Sequence, residues 1–275
     1  MKKHLLTLSI LLIVLPISLL NSCQNSVADN PEGEKEVTVN PAEHQVNAVL
    51  FQQTAAEYRA LCYQAFNIAK LRLEMDSRKM GLSRQQAIIL DIDETVLDNS
   101  PHDAMCILNN TLYPAYWKEW MDAADAKAIP GVMEFLKYAE KNGITAFYIS
   151  NRKEKYLEQT LRNLKDLGFP FADKEHIFLR TDTSGKKARR DIVSKTFDII
   201  LLIGDNLNDF SEAFEHKPIA KRFELTDKMK EEFGKRFIVL PNAMYGEWEG
   251  AIYGYDYKKT EAEKAEARYK HLQGF

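Results

Sequence analysis

Residues 87–100 read Ala-Ile-Ile-Leu-Asp-Ile-Asp-Glu-Thr-Val-Leu-Asp-Asn-Ser. Four apolar residues, Ala87 to Leu90, run directly into Asp91, and Asp93 follows two positions later. A continuous apolar run that stops at a polar cluster is the pattern of a strand buried on both faces of a parallel sheet. In open α/β sheets, ligands lie at the carboxyl ends of the strands. Asp91 and Asp93 are therefore expected where chemistry is done. Two carboxylates this close repel unless a cation lies between them. The simplest such cation is a hard, oxygen-seeking ion such as Mg²⁺.

Four further apolar runs supply neighbours for that strand: Ile144–Ile149, Ile177–Leu179, Ile199–Ile203 and Phe237–Leu240. Helical patterns separate them. Pro130-Gly131 opens one, with Val132, Phe135, Leu136 and Ala139 on one face and Gly143 as its stop. Others span about 153–167 and 187–195. Residues 44–80 read as a single long helix, with Leu50, Thr54, Tyr58, Leu61, Ala65 and Ile68 at steps of three or four and Gly81 beyond. Residues 101–129 have no strand pattern and hold Tyr113, Tyr116, Trp117 and Trp120, which reads as a small, mostly helical insertion over the strand end. The tail, 257–272, is rich in Lys, Glu and Ala and reads as a surface helix. Strands alternating with helices predict an α/β fold over 44–275, a doubly wound parallel sheet.

The strand ends carry different polar groups. Asp91 and Asp93 follow the first, Ser150-Asn151-Arg152 the second, Lys186 lies past the third, and Asp205 follows the fourth with Asp209 close behind. An acidic pair, a hydroxyl, a lysine and a distant acid on neighbouring strand ends make a phosphate and metal site. A carboxylate can attack phosphorus and become an aspartyl-phosphate, and a second carboxyl can protonate the leaving oxygen and later activate water. Asp98 and Asn99 are expected to hold the turn beneath the insertion, and His102 to be structural or exposed.

Asp91-Ile-Asp93-Glu-Thr95, Ser150, Lys186 and Gly204-Asp205-Asn-x-x-Asp209 resemble the four motifs of the haloacid dehalogenase (HAD) superfamily of phosphohydrolases. Asp91 through Pro101, Phe147-Tyr-Ile-Ser-Asn-Arg152 and Leu240-Pro-Asn-Ala-Met-Tyr-Gly-x-Trp-Glu249 are similar to the class C acid phosphatases, the bacterial lipoprotein e (P4) 5′-nucleotidase family, over about residues 44–255. The resemblance implies a Mg²⁺-dependent phosphomonoesterase acting on nucleoside monophosphates. It makes Asp91 the nucleophile and a metal ligand, and Asp93 the general acid/base with its backbone carbonyl on the metal. Asp205 becomes a ligand, and Asp209 either a supporting acid near the metal or simply the cap of the following helix. Ser150, Asn151 and Lys186 would bind phosphate, with Lys187 as the adjacent competitor for Lys186. Tyr245 would stack on a nucleobase. Its partner from the insertion is placed at Tyr113, with Tyr116 as the alternative, because the stretch before Trp117 is one residue shorter than the family's spacing. Acidic operation is expected because Asp93 must carry a proton in the first step. The family also implies a possible homodimer.

Composition narrows the partners. Lys and Arg number 37 against 40 Asp and Glu, a net charge of −3, and no basic block offers nucleic acid a surface. Met1-Lys-Lys-His precedes an apolar run from Leu5 to Leu20 broken by Pro16, short for a membrane span and suited to a signal peptide over 1–22. Leu20-Asn-Ser-Cys23 resembles a lipoprotein lipobox, which implies cleavage before Cys23 and its lipidation. Losing Lys2 and Lys3 would take the charge from −3 to −5. Residues 23–43 would then tether the domain to the membrane, and Gln24 rather than Asp after Cys23 favours the bacterial outer membrane. Cys62 and Cys106 either pair in that oxidising compartment or stay as separate thiols. Two other readings use the same features: phosphoryl transfer to an alcohol, and a surface-binding lipoprotein with a vestigial site.

Overall fold

The computed structural model describes residues 40–76 and 84–275. The expected signal peptide, Cys23 and most of the expected tether lie outside these residues. Among the described residues, no helix is long and apolar enough to cross a membrane.

The chain order is α1 (Val46–Thr54), α2 (Ala56–Asp76), β1 (Gln86–Leu90), β2 (Leu97–Asp98), α3 (Ser100–Leu108), α4 (Trp117–Ala123), β3 (Lys127–Ala128), α5 (Val132–Lys141), β4 (Thr145–Lys153), α6 (Leu157–Asp166), β5 (Ile177–Arg180), α7 (Lys187–Ser194), β6 (Asp198–Gly204), α8 (Ile219–Lys228), β7 (Phe237–Val239), α9 (Glu247–Ile252) and α10 (Glu261–Lys270). Five strands form one parallel sheet in the order β5-β4-β1-β6-β7. The strand carrying Asp91 and Asp93 is its centre. The expected doubly wound α/β fold is the one that forms.

Strand alternation splits the core in two. Ile88 and Leu90 of β1 point to one face, with Phe66 and Leu73 of α2, Phe135 and Leu136 of α5, and Leu161 and Leu164 of α6. Ala87 and Ile89 point to the other, with Phe147, Val193 of α7, Phe210 and Phe237. Burial on both faces explains why the strands read as unbroken apolar runs.

Four expectations are corrected, the last of them in the tail. Residues 40–43, expected to belong to a tether, are part of the folded domain: Ala42 is fully buried, and the Asn40 amide donates to the Ile107 carbonyl at 2.7 Å. The long helix expected over 44–80 is two helices. Ala55 takes extended backbone (ψ 126°) between them, after the Thr54 hydroxyl donates back to the Leu50 carbonyl at 2.6 Å. That local bond competes with helix propagation, and the break lets α1 pack on α3 while α2 packs on α5 and β7. The hydrophobic period alone does not reveal it, because the apolar stripe runs through unchanged. In addition, β4 continues past residue 149 to Lys153, with an irregularity in its pairing to β5 between Ile149 and Lys153. Ser150, Asn151 and Arg152 lie in that irregularity, which re-aims side chains at a strand end.

The insertion stands on a two-stranded antiparallel base, Leu97–Asp98 with Lys127–Ala128, and carries α3 and α4. The tail helix starts later than expected, at Glu261, where Thr260 and Glu263 form a reciprocal cap.

Candidate active site

Asp91 leaves β1 into a buried acidic cluster. Its carboxylate accepts from the Lys186 ammonium, which also lies 2.6 Å from Asp209 Oδ1. Carboxylate oxygens of Asp91, Asp205 and Asp209 lie within 4.8 Å of one another. Burial pushes the Asp91 carboxyl well up; Lys186 opposes the rise, and Asp209, Asp205 and Asp93 add to it. Burial and then Asp209 also raise Asp205. Burial disfavours the Lys186 ammonium, but Asp209 and Asp91 outweigh it and hold the group above its ordinary range.

With all three carboxylates ionised, the one ammonium would leave two negative charges uncompensated, and a second cation would relieve the pressure toward their neutral forms. The donors are hard oxygens, and Asp205 is oriented by neutral groups, the Thr95 hydroxyl at 3.2 Å and the Asn242 amide at 2.8 Å. This set fits a divalent cation of the Mg²⁺ type.

Asp209 is held by local chemistry. Residues Leu207–Asp209 form a single 3₁₀ turn in which Asp209 Oδ2 accepts from the Asn206 backbone N–H at 3.0 Å. Its other oxygen faces Lys186, so one carboxylate caps the turn and completes the cluster. A β-carbon on Gly204 would stand 2.3 Å from Asp209 Oδ2 and 2.6 Å from its Cβ. Gly204→Ala is expected to destabilise the fold by about 1–3 kcal/mol and to weaken cation binding. Thermal unfolding with and without Mg²⁺ checks this, and an unaltered melting curve in both conditions would contradict the close approach.

Asp93 turns the other way. Oδ1 accepts from Asn99 Nδ2 and from Arg152 Nε, both at 2.8 Å, and Oδ2 accepts from the Ser150 hydroxyl at 3.0 Å. Its carboxylate stands outside the three-carboxylate cluster, so only its backbone is left to serve an ion there. Asn99 Oδ1 accepts from Trp120 Nε1 at 2.8 Å and from Arg152 Nη2 at 3.3 Å. Both partners can only donate, so the amide orientation is fixed and Asn99 must donate to Asp93. Asn99 therefore does more than hold a turn: it couples the acid to α4 of the insertion. Asp98 keeps the expected role, accepting from Ser100 N at 2.9 Å and from Gln52 at 2.7 Å.

Glu94, fully buried and at a φ of 58°, accepts from the Asn99 N–H at 2.7 Å and from the Tyr245 hydroxyl. Burial, then Asp93, pushes its carboxyl well up. Tyr245 is thus anchored at its hydroxyl while its ring joins the wall of a cavity of about 580 Å³ above the cluster. Tyr113 and Trp117 line the same cavity, edge to face at 5.6 Å. Tyr116 is not among its walls. Lys186 lies on the floor, whereas Lys187 is exposed and pairs with Asp191 at 2.6 Å. Ser150 is fully buried against Asp93, and Asn151 is exposed at the rim, accepting from Arg189 at 2.7 Å.

His102 is buried, bonded to Asp103 at 3.0 Å and to the Ala115 carbonyl at 2.9 Å, and it meets Trp117 edge-on at 5.0 Å. It steadies the loop that presents Tyr113. Cys62 and Cys106 are unpaired and buried. Two contributions escaped the sequence reading. Arg152, noted only as a neighbour of Ser150, clamps Asp93. The tail helix, expected only at the surface, lends Glu261, Lys264 and Arg268 to the outer wall, where Arg268 donates to the Tyr253 hydroxyl at 2.6 Å. Adjacency to the Ser150 motif was the one available signal for Arg152. Nothing in the tail signalled its position.

Residues 16–248 match the family described as HAD superfamily, subfamily IIIB (acid phosphatase). Vegetative storage protein 1 of Arabidopsis thaliana is 32% identical over 136 residues, 45% of this chain and 48% of that protein, so the match spans about half the length of this curated relative. The structure of the class C acid phosphatase from Bacillus anthracis is 46% identical with a TM-score of 0.83, over 86% of this chain and 100% of that one. A second structure of the class C acid phosphatase from that organism, with tungstate bound, is 45% identical with a TM-score of 0.84 over the same shares. The chain belongs to the acid phosphatases of the HAD superfamily, subfamily IIIB.

Proposed function

We propose that this chain hydrolyses nucleoside monophosphates and other organic phosphomonoesters through an aspartyl-phosphate on Asp91, with Mg²⁺ as its divalent ion. The observation that carries the reading is the split between the two aspartates of one motif. Asp91 faces the cationic, metal-ready floor, and Asp93 is turned away from it into a cage of donors. A nucleophile and an acid/base need those separate surroundings. Tungstate, a tetrahedral oxyanion like phosphate, is bound in the structure of a related class C acid phosphatase, which supports an oxyanion seat in this family.

An Asp91 oxygen attacks phosphorus, and the bond to the leaving oxygen breaks. Asp93 gives that oxygen its proton. The Asp93 oxygen that does so is Oδ2, since Oδ1 accepts from both Asn99 and cationic Arg152 whereas Oδ2 accepts only from the neutral Ser150 hydroxyl, which can rotate. Asp93 then takes a proton from water, which attacks phosphorus and frees Asp91. The first step needs the Asp93 proton, so turnover is expected to fall as pH rises. Mg²⁺, when bound, would rest on Asp91 and Asp205 and would neutralise charge on the phosphoryl oxygens. Lys186 holds charge on the same floor, and Tyr113 and Tyr245 offer flat faces to a nucleobase without reading its edges.

A substrate panel tests this. Nucleoside 5′-monophosphates should show higher kcat/KM than sugar or aryl phosphates, and acid-quenched single turnovers with labelled substrate should leave the label on Asp91. Label on another residue, or none, would remove the nucleophile assignment. Lys186→Met is expected to slow turnover by about 10²–10³. It should also destabilise the protein by about 3–5 kcal/mol, because Asp91 and Asp209 lose their buried cation. Steady-state kinetics and denaturant unfolding read the two effects separately. Attachment to the cell envelope through lipid on Cys23 is proposed from the sequence alone; Cys23→Ser should release the protein from membranes.

A further inference from the structure

Most cations around the cavity are already engaged. Lys186 serves Asp91 and Asp209, Arg152 serves Asp93, Arg189 donates to Asn151 and Lys264 pairs with Glu261. Lys153 and Arg180 differ. Both line the cavity, and among the described residues neither side chain makes an ion pair or a hydrogen bond. They are register partners at the ends of adjacent strands, Lys153 closing β4 and Arg180 closing β5. Arg180 is half-buried. A partly desolvated guanidinium without an acceptor is unusual, because its five donors usually find partners.

Their position follows the expected path of the leaving group. Asp93 is bonded to Ser150 and Arg152, so it lies on the β4 side of β1. The oxygen that receives its proton must lie on that side too. The leaving group then extends across β4 toward β5, two strand spacings or roughly 10 Å from Asp91. Tyr113 stands on the same side of the cavity, and Arg180 is near enough to bias its hydroxyl electrostatically. The opposite side, at β6, is acidic, with Asp205 and Asp209.

We propose that Lys153 and Arg180 form a second anion subsite that selects phosphomonoesters whose leaving group carries another phosphate, a nucleoside bisphosphate being the matching class. This rests on the phosphatase reading of the cavity. A guanidinium fork and a neighbouring ammonium suit a phosphate better than a single carboxylate.

The test uses the full chain carrying Asp91→Asn with Mg²⁺, so that binding is read without turnover. Calorimetry gives Kd for adenosine 5′-monophosphate and for adenosine 3′,5′-bisphosphate. The bisphosphate is expected to bind about tenfold or more tightly than the monophosphate, and the difference should shrink as salt rises. Adding Arg180→Ala should erase the difference, and Lys153→Ala should reduce it. Arg180→Gln, with its melting temperature compared, separates a lost contact from a disturbed fold. Lys174→Ala, which removes an exposed cation paired with Glu158 elsewhere, should leave the difference intact. Equal affinities for the two nucleotides would overturn the proposal. So would an equal loss for both on Arg180→Ala, which would make the pair a general steering charge. Absence of phosphomonoester turnover in the unsubstituted protein would instead defeat the functional reading and leave these binding results standing.

Discussion

Asp91→Asn is expected to lower turnover of every phosphomonoester by roughly 10⁴-fold or more while the protein stays folded. The side chain that would bond to phosphorus is lost, and an amide is a poor nucleophile in its place. The fold is expected to survive for a reason visible in the cluster. Asp91 is buried beside three other aspartates, and its ionised form is already disfavoured there. A neutral amide of the same shape removes one repelling charge and asks less of desolvation. Lys186 keeps its bond to Asp209 at 2.6 Å, so no buried cation is stranded. The melting temperature should hold or rise. Assay with an aryl phosphate and calorimetric unfolding check the two halves together. Residual activity within tenfold of the parent protein would show that Asp91 is not the nucleophile, and a lost melting transition would show that its role is structural.

Removing the divalent ion is expected to have the next largest effect. A chelator should reduce turnover by about 10³–10⁴, matching the several kcal/mol of charge stabilisation an ion supplies to phosphoryl transfer. Mg²⁺ in excess should restore it. The second readout is stability. Asp91, Asp205 and Asp209 face a single ammonium, so the ion-free protein carries unrelieved repulsion that a bound cation removes. At a hundredfold excess over its dissociation constant, the ion should add about 2.7 kcal/mol to unfolding. Equal turnover and equal melting with and without chelator would rule the ion out of this cluster.

The sheet and its central strand were legible because burial on both faces writes itself as apolar runs, and because strand and helix periods differ. The site residues were legible for a related reason: Asp91, Ser150, Lys186 and Asp205 each lie beyond the end of an apolar run, so their order along the chain already placed them at one edge of the sheet. The helix break at Ala55 was not legible, because a hydrogen bond from Thr54 ends α1 without disturbing the apolar stripe. From sequence alone Asn99 is a turn residue, because its partners, Asp93, Trp120 and Arg152, come from three different segments. The tail helix looked like any solvated, charged helix, and only its docking makes Lys264 and Arg268 part of a wall.

By itself, the sequence determined the fold class, the family and the set of groups that meet at the carboxyl edge. Periodicity and motif spacing are local properties, and they survive without knowledge of contacts. Tertiary structure alone decided the surroundings that hold those groups apart. Asp91 and Asp93 are two residues apart on one strand end, yet Lys186 draws the first to the floor while Ser150, Asn99 and Arg152 hold the second aside. Among the described residues, the same packing leaves Lys153 and Arg180 without partners at the ends of β4 and β5. Which carboxylate meets an ammonium and which is caged by a hydroxyl, an amide and a guanidinium depends on neighbours far away in the chain, and those neighbours exist only once the sheet has closed.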